Sequence, residues 1–360
     1  MISIAKPLIG LEEKNAVMKV LDSGMIASGP RVEEFEKRFA EYVGTKYALA
    51  TTSGTTALHL GLLSLGIKTG DEVIVPSFSF VATANSILFC GAKPVFCDVD
   101  PRTFTLDPKK VEKRITKKTK AIMPVHLYGQ SADMNPLMEI AKKHDVHIIG
   151  DAAQAHGAKY DNKMVGSFGD VECFSFYPTK NMTTSEGGMV TTNNSDIAEK
   201  TNSLRNHGRE KTKWGYEHGC VGYNYRMTDI SAAIGLEQLK KLPMFNEKRQ
   251  QNAHYLTKNL TGIDGITPPY ELKNAEHVYH QYTIKCTARE TLIEQLKKNE
   301  IGYGIYYPKP MHYYPHLKSY GHNDLKISEQ LCNEVLSLPV HPALSSQDLE
   351  KIVNVVNERL

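Results

Sequence analysis

FSFYPTKNMTTSEGG, residues 174–188, joins two kinds of local chemistry in one short segment. It begins with alternating aromatics, the period of a strand with a buried face. Pro178 interrupts the run, and a single lysine, Lys180, follows two residues later. Small and hydroxyl residues and a Gly-Gly pair come next, which is turn chemistry. The segment therefore places one lysine at the end of a core strand. What that lysine can meet depends on the other strands.

Working outward, several short apolar runs alternate with helical patterns. DEVIVPSFSF (residues 71–80) holds a strand at Val73–Val75, stopped by Pro76. PVFCDV (94–99), AIMPVHLYG (121–129) and VHIIGDAA (146–153) are similar, and ECFSFYP and GGMVTTN follow. Between them lie predicted helices at Thr55–Leu65, Ala82–Cys90 and Met134–His144. This alternation predicts an α/β fold, with a mostly parallel sheet between helices. In such sheets, ligands bind beyond the carboxyl ends of the strands, so residues just after each run are the candidates. TDISAAIGLEQLKKL (228–242) reads as a helix with Thr228 or Asp229 at its N-cap and Pro243 just past its end. The chain is then expected to divide into a large domain, 1–243, and a smaller α+β C-terminal domain, 244–360. The first 20 or so residues are expected to pack on the small domain.

Composition excludes several classes. The 360 residues suit two domains, and 41% are hydrophobic. Mean hydropathy is −0.36, and 43 basic side chains face 40 acidic ones. That balance supplies no electrostatic case for nucleic acid or a membrane surface as partner. The most basic tract, KKVEKRITKKTK (109–120), reads as a solvated helix and loop. No apolar run reaches the length of a membrane span, and the N-terminus has no signal-peptide pattern. The six cysteines, at 90, 97, 173, 220, 286 and 332, form no C-x-x-C and no zinc spacing. No metal is expected. Scattered single cysteines of this kind suit a reducing compartment, and the expected localisation is cytoplasmic.

Three features carry candidate chemistry. TTSGTTALHLGL (51–62) is a glycine- and hydroxyl-rich turn entering a helix, and such a start offers free N–H groups to a phosphate or is simply capped. It has neither the lysine of a P-loop nor the G-x-G-x-x-G of a dinucleotide fold, which argues against a Rossmann dehydrogenase. Asp151 directly follows an apolar strand in IIGDAAQAHG, with Gln154 and His156 close behind. An acid there can bind a ribose, ligate a metal, cap a helix or pair with a protonated ring nitrogen. Lys180 is the third. Together the three match the needs of pyridoxal phosphate. A lysine forms a Schiff base, an acid keeps the pyridine nitrogen protonated, and a helix start takes the phosphate. Phe80, after VPSFSF, is the candidate to stack on the ring.

The same residues carry a likeness that runs over nearly the whole chain. The sequence resembles the sugar-nucleotide aminotransferases of the DegT/DnrJ/EryC1/StrS group, which have the aspartate-aminotransferase-like fold. The likeness includes SGPRVEEFEKRFAEYVGTKYALATTSGTTALHLGL, GDEVIVPSFSFVATANSILFCGAKPVFCDVDPRTFTLDP, DAAQAHGAKY, FSFYPTKNMTTSEGG, GYNYRMTDISAAIGLEQL and LSLPVHPALS, in that order. It implies a large sheet of the seven-stranded type and a transaminase using pyridoxal 5'-phosphate. Lys180 would be the Schiff-base lysine and proton shuttle. Asp151 would pair with the pyridine nitrogen, and Gln154 would bond the ring hydroxyl oxygen. Gly54, Thr55 and Ser175 would bind the phosphate, and Phe80 would cover one ring face. Asn224, in GYNYRM, would reach the phosphate of a second subunit, which makes a homodimer with a shared site.

The resemblance also implies the substrates: an amino donor, expected to be L-glutamate, and a nucleotide-linked keto sugar. In the group, members acting at C4 tend to carry Thr-Thr and then Glu-Gly-Gly after the lysine, whereas C3-acting members tend to carry Leu-Gly and Gly-Asp-Gly-Gly. Residues 182–188, MTTSEGG, are similar to the first pattern. A 4-keto-6-deoxy sugar aminated at C4 for surface-glycan biosynthesis is therefore expected, with C3 action as the alternative. Glu186, Tyr307 and His312 are the candidate sugar contacts, the last two from IYYPKPMHYYPH (305–316). A related dehydratase carries His in place of the lysine, so Lys180 argues against that activity. A non-catalytic regulatory protein that has kept the fold is the other alternative.

Overall fold

The computed structural model describes residues 1–358. Seven strands form the main sheet: β1 Tyr47–Thr51, β2 Glu72–Pro76, β3 Lys93–Cys97, β4 Thr119–Ile122, β5 His147–Asp151, β6 Val171–Ser175 and β7 Gly188–Thr192. Their order is β1-β7-β6-β5-β4-β2-β3. β7 runs antiparallel to both its neighbours, and the other pairings are parallel. Two of these features lie outside the sequence expectation. YALAT was not predicted as a strand, and nothing local in GGMVTTN announced its reversed direction. The reversal follows from the connection. Residues 176–187 contain no crossover helix, so the chain can only turn back beside β6.

Helices cover both faces. Alternation along each strand sends Ile74, Ile122, Ile148 and Phe174 to a core under α2 (Pro30–Val43) and α5 (Met134–His144). Val73, Val75, Ile149 and Val171 go to a second core under α3 (Gly54–Ser64), α4 (Ala82–Phe89) and α6 (Ser195–Arg205). Buried on both faces, these strands read as continuous apolar runs, which is why they were visible in the sequence.

The predicted helix end at Leu242 does not occur. One helix, α7, runs Asp229–Leu260 with Pro243 inside it, and Thr228 is its N-cap. Proline removes one backbone hydrogen bond and crowds the preceding turn. Here both halves are held by burial: Leu236, Leu239 and Leu242 before the proline, and Phe245, Asn246, Arg249 and Ala253 after it. The second half of α7 enters a third core with β8 (Ile266–Thr267), β9 (Tyr282–Cys286), β10 (Val335–Leu338), α8 (Arg289–Lys298) and α10 (Ser346–Asn357). Ile2 joins this core beside Ile301. The helix α1 (Leu11–Ser23) instead packs along the first half of α7, where buried Glu13 accepts bonds from Gln238 and Lys241. The C-terminal half also returns to the large sheet. Met311 N–H donates to Ser77 O at 2.8 Å, and buried Asp98 accepts the N–H groups of Ile327 and Ser328 at the start of α9 (Lys326–Glu334).

Among the described residues no helix is long and apolar enough to cross a membrane. Five of the six cysteines are buried, and Cys220 is exposed.

Asp229 ties the start of α7 to the start of α2. Its carboxylate accepts from Gly29 N at 2.9 Å, Val32 N at 3.0 Å and Arg31 N at 3.2 Å. Asp229→Ala would leave these donors unpaired at a helix start and is expected to lower unfolding free energy by about 2–4 kcal/mol in urea titration. A loss below about 0.5 kcal/mol would show that the three bonds do not hold α2 in place.

Candidate active site

Strand ends assemble the site. Asp151 closes β5, Ser175 closes β6, and Gly54 opens α3. Lys180 lies further from its strand than expected. β6 ends at Ser175, and a tight turn with Lys180 N–H donating to Tyr177 O at 2.9 Å carries the lysine beyond it. The next residues fix that turn. Asn181 Nδ2 donates to Asn246 Oδ1 on α7 at 2.8 Å, and Thr183 Oγ1 donates to Phe176 O at 2.8 Å.

Asp151 and Lys180 share one electrostatic environment. Burial pushes the Asp151 carboxyl above its usual value, while Thr83, the Ala153 amide and Lys180 pull it back. Thr83 Oγ1 donates to Asp151 Oδ2 at 2.8 Å, and Ala153 N donates to Oδ1 at 3.1 Å. Burial likewise brings Lys180 down to about 8 against the opposing pull of Asp151. Both shifts have one cause: each charged form has lost water. A buried acid kept above its normal range favours a cationic partner, and a lysine near 8 supplies much more neutral amine than an exposed one.

The helix start is built for close approach. Ser53 caps α3, accepting from Thr56 N at 3.2 Å, and the Gly54 and Thr55 amides precede the first intrahelical bonds. A Cβ at position 54 would lie 2.6 Å from Ser175 Cβ, so only glycine lets β6 and the helix start meet. The result is two amides and two hydroxyls at the positive end of a helix, a donor set suited to a phosphate. With Asp151 and Lys180 alongside, these residues fit pyridoxal phosphate on structural grounds.

Gln154 is buried and has two partners. Its Oε1 accepts from Tyr128 N at 2.7 Å, and its Nε2 donates to the Tyr307 hydroxyl at 2.9 Å. Tyr307 thus reaches the site from the C-terminal half. Phe80 is 55% exposed, with its ring centroid 6.1 Å from that of Tyr307. His312 is placed otherwise than the sequence suggested. It is buried, with Nδ1 2.6 Å from Ser77 Oγ and Nε2 3.1 Å from Glu329 Oε1. Both ring nitrogens are occupied in packing the loop onto the sheet. Glu186 is exposed on the loop after Lys180, and Asn224 is exposed on the segment bridged to Asn206. Burial takes His156 down to about 3, so its ring is a neutral wedge against Phe174 and Phe176.

Thr83, His126 and Glu172 were missed by the sequence reading. The i, i+4 spacing of Ser79 and Thr83, whose hydroxyls lie 2.9 Å apart, was the one available signal for Thr83. His126 and Glu172 meet across 46 residues and left no signal.

Fold and site together define an aminotransferase dependent on pyridoxal phosphate. The chain belongs to the DegT/DnrJ/EryC1/StrS aminotransferase family, whose model matches residues 7–357. It is 42% identical over 366 residues to GDP-perosamine synthase of Caulobacter vibrioides, covering 100% of this chain and 98% of that one. It is 40% identical to dTDP-3-amino-3,6-dideoxy-alpha-D-galactopyranose transaminase of Aneurinibacillus thermoaerophilus, over 96% and 94% of the two chains. The crystal structure of S. venezuelae DesV in complex with a ketimine intermediate superposes with a TM-score of 0.93 at 38% identity, over 97% and 94%. The protein is thus a sugar-nucleotide aminotransferase.

Only neutral amine attacks a carbonyl, so with Lys180 as the receiving amine, the role the resemblance implies, reloading of the cofactor-free protein with pyridoxal phosphate should accelerate as pH rises through about 8. Stopped-flow absorbance measures this. A midpoint near that of an ordinary lysine would show that Lys180 is not desolvated.

Proposed function

We propose that the protein transfers an amino group from L-glutamate to C4 of a nucleoside-diphosphate-linked 4-keto-6-deoxy sugar, in the cytoplasm, as a homodimer with shared active sites. The C4 reading rests on the residues after Lys180, MTTSEGG (182–188), which are similar to the pattern of C4-acting members of the group. In the fold Thr183 and Thr184 are buried and tied to Phe176 O, and Glu186 is exposed. The reading of C3 action rests on the 40% identical relative whose name specifies a 3-amino sugar.

In this reading each residue has a defined task. Lys180 would hold the cofactor through its amine, and the Gly54 and Thr55 amides with Ser175 would hold its phosphate. Asp151 would keep the ring nitrogen protonated. Gln154 Nε2, with one hydrogen given to Tyr307, retains a second to donate to the ring oxygen. The exposed Phe80 ring would cover one face of the cofactor, and Asn224 would reach the partner subunit's phosphate. Tyr307 and Glu186 would face the sugar. His312, tied to Ser77 and Glu329, would instead hold the loop that carries Tyr307. When bound, the cofactor carries the amino group and withdraws electrons from the substrate carbon. Lys180 Nζ then moves the proton at that carbon, a task suited to a group titrating near 8.

Mass and NMR analysis of products from a panel of nucleotide-linked 4-keto and 3-keto sugars tests the proposal. Amination at C4 is expected, and exclusive amination at C3 would overturn it. Lys180→Ala is expected to retain cofactor but lose amination by at least about 10³-fold. Asn224→Ala should raise the cofactor dissociation constant about tenfold, whereas unchanged affinity would remove the cross-subunit contact.

A further inference from the structure

Behind Asp151 lies a buried pair that the reaction described above does not use. His126 and Glu172 are both fully buried, with Nε2 3.0 Å from Oε2 and 3.3 Å from Oε1. The imidazole's protonation is defined by its other side. Ala132 N–H donates to His126 Nδ1 at 3.1 Å, so the ring proton sits on Nε2 and is given to Glu172. Glu172 lies beside Gly150 in the β5–β6 pairing. A Cβ at position 150 would lie 2.4 Å from the Glu172 carboxyl, so glycine at the residue before Asp151 is what makes room for this acid.

The backbone of the same segment grips Asp151. Asp151 N–H donates to Pro124 O at 2.8 Å, and His126 N–H donates to Asp151 O at 3.0 Å. Two residues further on, Tyr128 N holds Gln154 at 2.7 Å. His126 is thus anchored by its side chain to Glu172 and by its backbone to the residue that faces the cofactor. A carboxylate in this position would add negative charge behind a site that must stabilise a cation, in a medium too dry to screen it.

We propose that Glu172 and His126 are positioning residues for Asp151, holding its strand end in place and adding the buried charge that keeps the cofactor's ring nitrogen protonated. This rests on the reading that Asp151 pairs with that nitrogen. The titratable groups facing Asp151 are Lys180, His126, Cys173 and Tyr307, and those facing Glu172 are His126 and Cys173.

The test is a pH titration of bound-cofactor absorbance in the holoenzyme, with cofactor affinity measured on the stripped protein. Glu172→Gln keeps the shape and an acceptor for His126 but removes the charge. Loss of a nearby negative charge disfavours protonated forms, so the midpoint should fall by about 0.5–1 pH unit, with weaker cofactor binding. Glu172→Asp keeps the charge and should restore the midpoint to within about 0.2 unit of the parent. A parental midpoint in Glu172→Gln, or equal shifts in both variants, would reduce the pair to packing and overturn the proposal. Asp151→Asn separates the two ideas. If it alone alters the midpoint, the inference about Glu172 fails. If it alters neither midpoint nor affinity, the reading of Asp151 fails, and the proposal falls with it.

Discussion

A carboxylate and an ammonium are held near each other, away from water, at the end of β5. Much of the surrounding structure serves that constraint. Removing either charge from solvent costs several kcal/mol before relaxation. Asp151 answers that cost with a hydroxyl from Thr83, the amide of Ala153 and the opposite charge of Lys180. The two groups remain shifted toward their neutral forms. That tension is chemically useful, because it leaves an acid that favours a cation and an amine that can react.

The scaffold is rigid where the chemistry needs it to be. Asp151 and Ser175 are strand-end residues, fixed by the register of β5 with β6 and of β6 with β7. Lys180 is on a turn, but the turn is bolted down. Asn181 reaches α7 and Val278, and the paired threonines return to Phe176 O. The segment 124–132 links the remaining parts. It clamps Asp151 and Gln154 on one side, and Tyr128 donates its hydroxyl to Tyr306 O on the other. Through that link the C-terminal half places Tyr307 at the site.

The C-terminal half is tied to the large sheet on two sides of the expected boundary at 243. The helix α7 passes through the proline with buried residues on both sides, so it joins the first core to the third. The loop after residue 305 then docks on Ser77 and Asp98, at the same sheet end as the site. His312 is spent on that docking.

Local sequence was enough for the interior strands, for α3, α4 and α5, and for the order of the chemical groups along the chain, but not for α2 or α6. Strands buried on both faces must be apolar throughout, and punctuation by Pro and Gly marks their ends. Asp151 and Lys180 were legible because each follows such a run, and the Ser53–Thr55 start because a glycine- and hydroxyl-rich turn enters a helix there. Tertiary structure alone decided the direction of β7, the strand β1, the continuity of α7 through Pro243 and the partners of Asp151. β1 is a short edge strand with an exposed first residue, and its residues show no period of their own. Thr83, His126 and Glu172 are single polar residues in apolar surroundings, and their meaning lies in contacts with distant segments. No local pattern encodes such a contact, because burial and hydrogen bonding between segments exist only once the sheet has formed.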